Sequence, residues 1–214
     1  EELLSRNNGR RVLIDIKHMS ILARKRYYEI VAEKRSKGDN IPIICSHTSL
    51  NLFDTMDDAA RIPDDYCKDK DAYLSKFSIN LSNDEILHIA DSNGIIGIIL
   101  NEGRMPGEKG KSAIQACGND MQKKGQVYIK LIMSNIIQII KTVNRKEAWD
   151  IICIGSDFDG VIDPFETYMD AQTLKNLPLD IIKYLSDPFD LDWIKVTAAD
   201  IKTKYMFSYT PEQI

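Results

Sequence analysis

Histidine is scarce in this sequence, with three residues among 214. Long apolar runs are missing altogether. The longest, such as "IIGIIL" at residues 95–100, fall far short of the roughly 20 residues a membrane-spanning helix needs. An excess of positive charge is also absent. The net charge is −4, so neither a nucleic-acid backbone nor an anionic membrane is favoured as a partner. The opening "EELLSRNNGRR" lacks the apolar core of a secretory signal and reads instead as the end of a helix. The four cysteines, Cys45, Cys67, Cys117 and Cys153, show no CxxC or zinc-ribbon spacing. Cys45 and Cys153 lie within apolar runs and read as buried thiols. That disfavours disulfides and leans towards a reducing, cytoplasmic setting. No low-complexity tract, repeat or domain linker interrupts the chain, which reads as one domain over residues 1–214.

What is present is a set of four short runs rich in Ile and Val, at residues 12–16, 41–45, 94–100 and 151–155. They do not alternate with polar residues, which is the pattern of strands covered on both faces in a parallel sheet. Helical periodicity fills the intervals. Ser20 caps a helix over 21–35, Ser82 with Glu85 opens another, and 127–143 carries the strongest 3.6-residue stripe. Two short helices follow the fourth run, in "TYMDAQTLKNLP" and "LDIIKYLSD", and "TAADIKTKYM" begins one more with Thr197 as its cap. The order β-α-β-α-β-α-β-α predicts an α/β fold, as either a barrel segment or an open doubly wound sheet.

In such folds the chemistry gathers where strands end. The first run exits at His18 in "LIDIKHMS" and the second at His47 in "IPIICSHTS". The third exits at "NEGR" (101–104) and the fourth at "SDFDG" (156–160). Neighbouring parallel strands lie roughly 4.8 Å apart. Imidazoles on adjacent ends can therefore share one metal ion, each nitrogen about 2.0–2.1 Å from it. The competing reading makes each a neutral rim histidine held by hydrogen bonds. Asp157 is placed to orient a water or act as a base. Asp159 with Gly160 reads as a turn. His88 falls in a helix, on the outer shell.

"LIDIKHMS", "IPIICSHTS", "ARIPDD", "GIIGIIL" and "IGSDFDGV" occur in the order of similar segments in the membrane dipeptidases of the amidohydrolase superfamily. The resemblance implies the C-terminal half (strands 5–8 with their helices) of a metal-dependent (β/α)8 TIM barrel, and a zinc dipeptidase that cleaves a small dipeptide or amide. By the same likeness His18 and His47 are zinc ligands in a site of two zinc ions, and Asp157 manages the nucleophilic water. Arg61 grips the substrate carboxylate. The family's His-x-Asp on the first strand and its bridging glutamate have no counterpart, so the N-terminal barrel half is expected to be missing. Four strands cannot close a barrel, which takes eight. The chain is therefore expected to pair with that half or to form a homodimer.

Three other readings remain. One is a catalytically inactive binding protein of the dipeptidase fold, and another an incomplete fragment of an active enzyme. The third is a phosphatase of the haloacid dehalogenase type, since "SDFDGV" also fits Asp-x-Asp-Gly. Against it, no second strand ending in an acidic pair follows Gly160.

Overall fold

The computed structural model describes residues 2–7, 9–61 and 69–214. Its sheet is small. β1 (Ile44–Thr48), β2 (Ile95–Ile98) and β3 (Ile152–Ile154) run parallel in the order β1-β2-β3. The remaining regular structure is helical: α1 (Ile21–Ser36), α2 (Met56–Arg61), α3 (Asn83–Asp91), α4 (Glu108–Ala116), α5 (Met121–Val143), α6 (Ala171–Leu174), α7 (Leu177–Ser186) and α8 (Ala198–Asp200).

The expected half of a TIM barrel is therefore not what the chain forms. An open, three-stranded parallel sheet stands where four barrel strands were predicted. The first apolar run, 12–16, fails as a strand. It makes a single parallel bridge, Asp15 to Ile44, with Ile16 N donating to Ile44 O at 2.9 Å. The cause is local. Val12 and Leu13 are exposed. The Asp15 carboxylate accepts from Lys17 N and from Ser46 N, both at 3.0 Å. These bonds replace a ladder with a knot. The apolar residues of β2 are covered, with Ile96 and Ile98 fully buried.

α5 is the core of the molecule. Tyr128, Leu131, Ile132, Met133, Ile137, Ile139 and Ile140 are all fully buried. It packs on α3, α4, α7 and β2. It begins earlier than its apolar stripe because Asp120 caps it, accepting from Lys123 N, and it ends at Asn144 in the left-handed conformation. The other expected caps are formed. Ser20 Oγ accepts from Ala23 N at 3.2 Å, Ser82 N donates to Glu85 Oε2 at 3.1 Å, and Thr197 accepts from Asp200 N. Cys45 is buried as expected, but Cys153, in a strand that pairs among the described residues with β2 alone, is exposed. No helix among the described residues is long and apolar enough to cross a membrane.

Candidate functional site

β1 is irregular where it matters. Its register against β2 slips between Cys45 and Thr48, so Ser46 and His47 lie in a bulge. His47 is thus inside the strand, not beyond its end. A bulge re-aims a side chain that a regular strand would send elsewhere. Two glycines permit it. A Cβ on Gly97 or on Gly155 would lie 2.0 Å from Ser46 O, and one on Gly155 would also lie 2.9 Å from His47 Cα. Backbone therefore closes directly over the bulge from β2 and β3.

His18 reaches the same point from the turn after residues 12–16, with φ at 67°. Its Nε2 lies 3.1 Å from Nε2 of His47, and the ring centroids are 5.1 Å apart. Asp157, also left-handed at φ 52°, places Oδ2 3.6 Å from His47 Nε2. The loop after β3 thus joins the two imidazoles. On its other side, His47 Nδ1 is 2.8 Å from Ser46 Oγ. With Nδ1 donating to that hydroxyl, Nε2 keeps its lone pair facing His18. Burial is the main influence holding His47 below the ordinary imidazole pKa; Asp157 opposes it, and Lys17 and His18 reinforce it. That favours the neutral ring, the form in which a histidine binds metal. Asp15 works the other way. Burial resists its charge, but bonds from the Ser46 side chain and from the Lys17 and Ser46 backbones outweigh it and hold the carboxyl below its usual range.

The donor set can be compared with zinc. Two nitrogens each about 2.0–2.1 Å from a tetrahedral ion stand roughly 3.3 Å apart, close to the 3.1 Å found. The pair fits one ion. Among the described residues no group of three or more His, Cys, Asp or Glu is arranged to hold a metal.

Arg61 ends α2, largely exposed, with its guanidinium 3.7 Å from Asp58 of the same helix. The "IPDD" that carries its resemblance, and Cys67, lie outside the described residues. His88 sits in α3 stacked on Tyr28, apart from the pair's contacts.

Sequence reasoning overlooked three supports. Asp15 and Ser46 pin the turn of His18 to the bulge of His47. The signal was visible in the quoted stretches themselves, as an aspartate three residues before one histidine and a serine just before the other. Arg24 is the third. Its Nη1 donates to Met19 O at 2.9 Å, fixing the residue after His18.

No protein-family profile, no curated protein and no solved structure matches this chain.

Proposed function

We propose that this chain is a metal-dependent hydrolase of the dipeptidase kind, acting on a small dipeptide or amide through His18, His47 and Asp157. The observation that supports the reading is the 3.1 Å approach of two Nε2 atoms with a carboxylate oxygen 3.6 Å from one of them. The likeness of the surrounding segments to membrane dipeptidases points the same way. His18 and His47 would hold the ion. Zinc supplies Lewis acidity when bound, polarising a carbonyl and lowering the pKa of water. Asp157 takes the proton as the oxygen of water adds to the amide carbon, and that proton goes on to the departing amine. Ser46 keeps His47 in the tautomer that ligates.

A second reading, a binding module without turnover, is favoured by the lack of a third ligating side chain among the described residues. Calorimetric zinc titration combined with a dipeptide hydrolysis assay separates them. We expect His18→Ala and His47→Ala each to weaken zinc at least tenfold. Asp157→Asn should keep zinc and lose hydrolysis. Zinc binding without turnover in the unaltered chain selects the module. Zinc binding indifferent to both histidines, or none at all, ends the hydrolase reading and leaves the module.

A further inference from the structure

The loops that leave β2 and β3 are laced together. Asn101 bridges Pro164, Glu102 N donates to Asp163 O at 2.8 Å, and Phe165 N donates to Leu100 O at 3.1 Å. Beside them lies a cavity of about 260 Å³ lined by Glu102, Gly103, Lys111, Ile114, Gln115 and Asp163. His18, His47 and Asp157 take no part in its lining.

The charges there are unbalanced. Lys111 is engaged by Glu108 at 3.1 Å, and Lys124 by Glu166 at 2.5 Å. Among the described residues Glu102 and Asp163 form no ion pair; Glu102 accepts only the Tyr128 hydroxyl.

Asn101 gives an independent indication of a ligand. The residue is 7% exposed, and its side-chain Oδ1 is buried with no hydrogen-bond partner. A buried acceptor left unpaired is costly and rare in a native fold. This one is aimed at the space above Gly103. A Cβ on that glycine would stand 3.2 Å from Asn101 Oδ1 and 3.3 Å from Asp163 Oδ2. An amide oxygen and a carboxylate oxygen thus flank Gly103, which itself lines the cavity.

We propose that Asn101 Oδ1, Asp163 and Glu102 form an oxygen-ligand site for a hard divalent cation of the calcium class, which ties the exit loops of β2 and β3. Every donor is oxygen, with neither imidazole nor thiolate among them, which suits calcium or magnesium and disfavours zinc. The donors come from two irregular loops, not from a rigid octahedral frame, and that favours the larger ion. A bound cation would supply the compensating charge for the two carboxylates that the engaged lysines do not.

Terbium luminescence tests the site directly, because Tyr128, bonded to Glu102 and stacked on Phe165 at 4.4 Å, stands close enough to sensitise a lanthanide held there. The chain is stripped with chelator, titrated with terbium under tyrosine excitation, and competed with calcium. We expect saturable emission that calcium displaces. Asp163→Asn should weaken binding about tenfold and Asn101→Asp should tighten it several-fold, since affinity follows the number of charged ligands. His47→Ala should leave it unchanged, which separates this site from the zinc reading above. Loss of folding cannot produce the gain expected of Asn101→Asp, so that variant decides even if Asp163→Asn unfolds. No saturable emission below about 1 mM, the weak end of natural calcium sites, overturns the proposal. So does Asn101→Asp binding no tighter than the unaltered chain, or binding that disappears with His47→Ala. A water bridging Asn101 and Asp163 would give the first of those results.

Discussion

Glu85 is the most exacting place to perturb this molecule. Its carboxylate is fully buried and accepts from Arg24 Nε at 2.5 Å, Arg24 Nη2 at 3.2 Å, Tyr28 Oη at 3.0 Å, Ser82 N at 3.1 Å and Ser82 Oγ at 3.0 Å. Arg24 is itself 2% exposed, and its remaining bonds go to Met19 O and Ser78 O, both at 2.9 Å. Glu85→Ala removes five acceptor contacts at once and leaves a guanidinium in the core with only two carbonyls. Breaking a buried pair from one side costs about 3–5 kcal/mol, against a typical total stability of roughly 5–15 kcal/mol. We expect the variant to lose about a fifth of its stability or more. Urea unfolding followed by tryptophan fluorescence, compared at constant m-value, measures this. The double variant Arg24→Met with Glu85→Leu removes both charges and should recover much of the loss. A loss below about 1 kcal/mol would mean that water reaches the pair. A double variant no better than the single would show that packing, not the stranded charge, sets the cost.

Gly155→Ala should destabilise by about 1–3 kcal/mol through overpacking, because the new Cβ meets backbone atoms, Ser46 O at 2.0 Å and His47 Cα at 2.9 Å; a variant with an unshifted urea midpoint would refute the closure of β3 over the bulge. His47 gives a pH dependence. Its folded pKa lies below the unfolded 6.5, so the unfolded chain binds more protons, and stability is complete above pH 6.5 and lost as pH falls through the folded value. Urea midpoints at pH 7.5 and 5.5 should therefore differ less in His47→Gln than in the unaltered chain, and equal differences would sink the assignment.

The parts of this fold that were legible in the sequence are those decided within one turn of chain. Ser20, Ser82 and Thr197 mark helix starts because a cap is chemistry between residues three apart. α5 outruns its stripe at the N-terminal end for the same reason, since Asp120 captures Lys123 N despite Gly125 one turn later. α2 and α4 escaped notice because they are short and polar, and each buries only two residues, Met56 and Ala59 or Gly110 and Ile114, too few to mark a helical period. The strand expected over 12–16 failed for the opposite reason. Apolarity permits a ladder, but pairing is decided by distant partners, and here Asp15 bonds Ser46 N instead of continuing the ladder. The histidine pair was legible from its two matching stretches. The slip in β1 register that aims His47 was not, because nothing in "ICSHT" distinguishes a bulge from a regular strand.

The backbone conformation adds a further constraint on the site. His18 and Asp157 both occupy the left-handed region. Histidine and aspartate enter it more readily than most residues, yet such positions still cost of order 1–3 kcal/mol and persist only where the surroundings hold them. At His18 those surroundings are identifiable: Asp15 holds Lys17 N before it, and Arg24 holds Met19 O after it. Asp157 is held by its own loop, where its carbonyl accepts from Gly160 N at 2.8 Å and Val161 N at 2.7 Å. Its carboxylate occupies room that a Cβ on Gly160 would take, 2.8 Å from Oδ1. The placement of the first imidazole thus depends on a charge pair between α1 and α3, whereas that of the carboxylate is local. Substitutions at Arg24 or Glu85 should consequently disturb His18 before Asp157, although neither side chain touches the imidazole.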